Sequence, residues 1–107
     1  MKSYKSYSDD GHGWLAVKRK ELEEMGILDK ITPYSYQRGQ TVYLEEDCDM
    51  SLFVTTKKAM GYNFVLGSNS GMLFDAEQDK TKLMKIDHKN TNGRSPIRSY
   101  EHFSVEV

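Results

Sequence analysis

The chain has 107 residues, 37% of them apolar and 29% charged, with a formal net charge of −1. That length holds one domain and no second core. A balance so near neutral excludes a nucleic-acid binder resting on overall basic excess and an acidic mimic of DNA.

Residues 1–11 are polar, with Tyr4 and Tyr7 spaced through lysine and serine, and read as a flexible N-terminal arm before a single domain over 12–107. They hold no apolar stretch of signal-peptide length, and no run approaches the roughly 18 apolar residues of a membrane span. The expectation is a cytoplasmic protein with no membrane partner. Twelve aromatic residues argue for a folded chain despite a mean hydropathy of −0.71, because disordered chains are poor in them.

Trp14-Leu15-Ala16-Val17 reads as a short buried strand. Lys18 to Met25 are good helix formers, and Gly26 supplies a left-handed cap. Leu22 and Met25 face inward, and Ile27, Leu28 and Ile31 continue the apolar surface until Pro33, which disfavours helical geometry at Thr32. Tyr34 to Gly39 reads as a loop. Gln40 to Glu45 alternates as a strand. A helix over 50–60, ended by Gly61, carries Met50, Phe53, Val54 and Met60 on one stripe, with Lys57 laying its stem along the core edge. Tyr62 to Leu66 predicts a strand, residues 67–71 a turn and 72–74 its hairpin partner. A short helix over 76–81 and a strand over 83–88 follow. Residues 89–96 form a polar loop. The tail from Tyr100 to Val107 alternates, with Phe103, Val105 and Val107 on one face. The sum is an α+β domain with two main helices and about five strands in a mainly antiparallel sheet.

The stretch Glu45-Glu46-Asp47-Cys48-Asp49 lies where a strand gives way to a helix. Asp47 or Asp49 would cap the helix, and the remaining acids favour the positive end of its dipole. Contact with a basic partner and a cation site are the other readings of so many carboxylates, although the calcium-loop spacing is absent. Cys48 is the only cysteine, so no internal disulfide forms, and the negative charge around it disfavours the thiolate that a nucleophile needs. His12, His88 and His102 lack zinc-site spacing. No catalytic residue, metal or cofactor is expected.

Residues 80–102 hold six Lys/Arg against two acids. Lys85, Lys89, Arg94 and Arg98 would serve phosphate or nucleic acid. In the blander reading the arginines pair with the acidic 45–49 segment. Tyr34 and Tyr36 either cover the core beneath their loop or act as interface anchors with Arg38.

The stretch HGWLAVKRKELEEMGILDKITPYSYQRGQTVYLEEDCD, with RSPIRSY far downstream, resembles small accessory proteins carried by bacteriophages and mobile elements. The resemblance covers residues 12–54 and 88–100. No activity is assigned to that group, so no functional residue carries over. It implies a setting in which small proteins often inhibit host defence by binding, anti-CRISPR proteins among them. The leading expectation is a non-catalytic binding protein that occludes a host protein, anchored by Tyr34, Tyr36 and Arg38 with Glu45 and Glu46 beside them. The alternatives are a nucleic-acid-binding accessory protein using the basic 80–102 segment and a small enzyme of unspecified class.

Overall fold

Seven strands and two helices follow one another in the computed structural model, which describes residues 2–66, 83–91 and 93–105. The strands are β1 (Lys2–Ser8), β2 (Gly13–Lys18), β3 (Tyr36–Arg38), β4 (Thr41–Glu45), β5 (Asn63–Leu66), β6 (Leu83–Asn90) and β7 (Glu101–His102), and the helices are α1 (Arg19–Glu24) and α2 (Asp49–Ala59). They form one sheet in the order β5-β6-β1-β2-β4-β3-β7. The expected α+β layout holds, but the sheet has more strands than expected and is mixed: β1 and β5 each run parallel to β6, and the other pairs are antiparallel.

The segment read as an arm is the largest departure. β1 lies inside the sheet, antiparallel to β2 and parallel to β6 along its whole length. Tyr4 and Tyr7, three residues apart, point to opposite faces because side chains alternate along a strand. Tyr4 enters the core against Phe53, ring centroids 5.4 Å apart. Ser6 is buried beside it and bonds His88 Nδ1 at 2.7 Å. The polar look of KSYKSYS conceals a strand whose inward hydroxyls have partners.

Both helices cover one face of the sheet. The core there joins Tyr4, Leu15, Val17, Val42, Leu44 and Met84 from the strands to Leu22 of α1 and Phe53 of α2. Gly26 and Gly61 take φ of 75° and 96° where the helices end, as the left-handed cap requires. Met60, expected inward, is 47% exposed, because the helix has ended at Ala59. Lys57 is buried, and its ammonium lies 3.0 Å from the equally buried Glu21 carboxylate.

Tyr36 to Arg38 is a strand rather than loop, a three-residue hairpin arm turning at Gly39, φ 58°. Among the described residues the tail pairs only through Glu101 and His102. Beyond them Phe103 is buried and Val105 exposed, because the buried Arg19 captures the Ser104 and Val105 carbonyls at 3.0 and 2.6 Å. The expected hairpin partner over 72–74, the short helix over 76–81 and Val107 lie outside the described residues.

Candidate functional site

At the acidic junction, the side chain that serves the start of α2 comes from the strand. The Glu45 carboxylate accepts from the backbone amides of Asp47 (2.9 Å), Cys48 (2.5 Å) and Asp49 (2.8 Å). Burial pushes its pKa up, but the three amides outweigh this and hold it below the usual carboxylate value. Neither Asp47 nor Asp49 is the cap, contrary to expectation: the N-cap position is Cys48, whose side chain makes no capping bond. Asp49 is 1% exposed and turns to the preceding loop, accepting from Thr32 N (3.0 Å), Thr32 Oγ1 (2.8 Å) and Ser35 Oγ (2.5 Å). That presents Tyr34, at the tip of the loop, to solvent with 76% of its surface exposed.

A second fixed point is Asp9. Its buried carboxylate accepts from the amides of Gly11, His12 and Ser95 and from Arg98 Nε (2.5 Å) and Nη2 (2.8 Å). The Arg98 guanidinium, first among these, holds Asp9 far below the ordinary carboxylate range. Gly11 leaves room for that guanidinium, since a Cβ there would stand 2.8 Å from Nη2. Asp10 and Gly93 exchange two further bonds. Together these strap residues 93–100 across the face of the sheet opposite α1 and α2. Trp14 lies beneath the strap, 2% exposed, with the Arg98 guanidinium carbon 5.9 Å from its ring.

Beside the strap opens a cleft of about 360 Å³, within the range of small-ligand sites. Trp14, Tyr34 and Tyr36 supply aromatic walls, and Glu45, Glu46 and Asp47 the acidic rim. His102 stacks on Tyr36 at 4.8 Å and donates from Nδ1 to the Pro33 carbonyl at 2.8 Å. His12 Nδ1 lies 3.8 Å from Glu46. Cys48 and Arg98 complete the lining. Four of the five expected partner-binding residues, Tyr34, Tyr36, Glu45 and Glu46, therefore meet in one place. Arg38 does not join them.

Arg38 instead lies further along the same sheet face, bonding the Tyr100 hydroxyl at 3.1 Å with its guanidinium 5.1 Å from the Tyr100 ring. Pairing register sets this face in rows. One row runs Lys85, Ser3, Lys18, Thr41, Arg38; the next runs Asp87, Lys5, Ala16, Tyr43, Tyr36; the third runs Lys89, Tyr7, Trp14, Glu45. Lys85 and Lys89, expected as phosphate contacts, thus stand on the sheet. Arg98 is committed to Asp9, not to the 45–49 segment, and Arg94 is exposed in the strap. Lys80 and Lys82 lie outside the described residues.

Asp9 and Trp14 are the site residues that sequence reasoning missed. Asp9-Asp10-Gly11 is a turn signature whose aspartate binds amides two and three residues on, so a tethered turn was legible there, although its distant arginine was not. Among the described residues, no three His, Cys, Asp or Glu side chains converge as a metal-binding group, and no helix is long and apolar enough to cross a membrane. No protein-family model matches the chain, and neither a curated protein nor a solved structure is found to match it.

Proposed function

We propose that the protein is a non-catalytic binding protein whose recognition site is the Tyr34–Tyr36–Glu46 cleft, and that it acts by seating a basic side chain of a partner protein there. The observation that carries this is the pairing of aromatic walls with carboxylates in one concavity whose own cation, Arg98, is already neutralised by Asp9. A lysine or arginine entering the cleft finds ring faces, which attract cations, and the exposed Glu46 and Asp47 carboxylates at the rim. Tyr34 costs nothing further to expose, and tyrosine is the kind of residue that anchors interfaces. The resemblance to phage accessory proteins suggests the setting: occlusion of a host protein's surface, as a defence inhibitor would achieve.

An enzymatic reading has less support. Cys48 shares the cleft with two histidines, but its thiol is exposed and, among the described residues, no hydrogen bond joins it to either ring.

The test is capture from nuclease-treated host lysate by the wild type, Tyr34→Ala and Glu46→Lys. A discrete protein retained by the wild type and lost by both variants, each still folded by circular dichroism, is the expected result. Retention that ignores both substitutions would overturn the assignment of this cleft.

A further inference from the structure

The face of the sheet opposite α1 and α2 carries a charge pattern that the net charge of −1 conceals. Lys5, Lys18, Arg38, Lys85 and Lys89 all project from it by strand alternation and register. Among the described residues, their one carboxylate neighbour on this face without a structural task is Asp87, 3.6 Å from Lys85. Glu45 shares the face but spends its oxygens on the amides of α2. Among these cations run three half-buried tyrosine rings. Tyr7 and Tyr43 have centroids 6.1 Å apart, and Tyr43 and Tyr100 5.2 Å apart.

We propose that this face binds single-stranded nucleic acid, with the lysines and Arg38 along the phosphates and the tyrosines against the bases. Sequence-tolerant single-strand binders combine these two features, a cationic surface tracking the backbone and aromatic rings on which bases stack. A duplex offers phosphates but hides its base faces, so the rings select against it. A protein partner of acidic surface would also meet both lysines and rings, and it would show as absence of saturable nucleic-acid binding. The inference goes beyond the cleft and does not rest on it: the strap of residues 93–100 stands between the two, with Tyr100 on the platform side and Arg98 on the cleft side. It also re-sites the basic region. Of the four cations that the sequence nominated, Lys85 and Lys89 belong to the platform, whereas Lys5, Lys18 and Arg38 come from strands outside the 80–102 segment.

Fluorescence anisotropy with labelled oligothymidylate and oligouridylate of about 20 nucleotides, and with a duplex of equal length, tests this at several salt concentrations. The single strands are expected to bind at least about tenfold more tightly than the duplex. Their log affinity should fall linearly with log salt, and Lys5→Gln/Lys89→Gln should flatten that slope by about 1.4, near 0.7 for each lost phosphate contact on a single strand. Lys20→Gln/Lys58→Gln removes the same charge from the exposed helix side and should leave the slope unchanged. Tyr7→Leu should weaken binding about tenfold or more with the slope retained, as loss of base stacking demands. A preference between the two single strands, which differ in the sugar and in the base methyl group, would still support the proposal. The proposal is overturned by absence of saturable binding up to about 100 µM at low salt, the weak end of nonspecific affinity. Duplex binding as tight as single-strand binding, or equal effects of the two lysine pairs, would overturn it as well.

Discussion

Asp9 shows how one side chain can organise a surface that lies far away in sequence. Its two oxygens serve three backbone amides and the Arg98 guanidinium, 89 residues distant. Because its folded pKa is depressed, its contribution to stability is full above the ordinary aspartate value near 4 and is lost as pH falls toward the depressed one. The wild type should therefore melt at higher temperature than Asp9→Asn at about pH 6, and the gap should hold down to about pH 4.5 and then narrow as pH falls toward about 3. Thermal melts of the two proteins across that window check this; a constant gap would show that the carboxylate's charge is not what fastens the strap. Glu45 obeys the same sign, since its pKa is lowered too. What was legible at this scale was the chemistry and not the pairing. Arg98 was expected to pair with the acidic 45–49 segment, and it pairs with Asp9 instead. The choice between Asp9 and the 45–49 segment depends on which loop the sheet brings beneath the strap, and strand order is not written in local pattern.

At the scale of elements, β1 decides whether the sheet is one body. It joins the β5–β6 pair to the β2–β4–β3–β7 group, and in the described residues no other strand bridges them. Deleting residues 1–8 would leave the inner edges of β2 and β6 unpaired and remove Tyr4 from the core. The truncated protein should lose cooperative unfolding in urea, followed by Trp14 fluorescence and far-ultraviolet circular dichroism; an unchanged sharp transition would contradict the central placement of β1. The elements that could be read in advance share a clear period or a clear stop. β2 is a short continuous apolar run, β4 alternates with β-formers, α1 and α2 end at glycines, and β6 holds Leu83 to His88 as expected. Those that could not be read lack both. β1 repeats every three residues, which disguises a period of two; β3 is only three residues long; and the tail is pinned by Arg19, a residue that looks like an ordinary helix former. The start of α2 was placed correctly, but its amides are satisfied by Glu45 at the end of a strand, which cap rules based on adjacent Asp or Ser do not anticipate.

For the whole molecule, the decisive asymmetry is that both helices pack on one side of the sheet. Among the described residues, the strap, the aromatic cleft and the basic rows all lie on the other side, so both candidate recognition surfaces share a single face. The convergence of Tyr34, Tyr36, Glu45 and Glu46 could be suspected from residue type, whereas the separation of Arg38 from them follows from register alone. Holding the helices on their own side falls partly to a polar contact inside the core. Glu21 of α1 accepts from the Tyr4 hydroxyl of β1 and pairs with Lys57 of α2 at 3.0 Å, with the two charged side chains 9% and 8% exposed. Lys57 also lies 4.7 Å from the centre of the Tyr62 ring. Burial, helped by the bond to Glu21, keeps the Tyr4 hydroxyl protonated well above its usual range, so it remains a donor. A buried pair of this kind is weak evidence for net stabilisation, but breaking it from one side strands a charge, at a cost of about 3–5 kcal/mol. Lys57→Met should therefore be destabilised by about that amount in urea melts. Adding Glu21→Gln, which keeps an acceptor for Tyr4 and removes the stranded charge, should return roughly 2 kcal/mol or more of the loss. If the double variant is instead as unstable as the sum of the two single variants, Glu21 and Lys57 are energetically independent, and the joining of sheet, α1 and α2 rests on apolar packing alone.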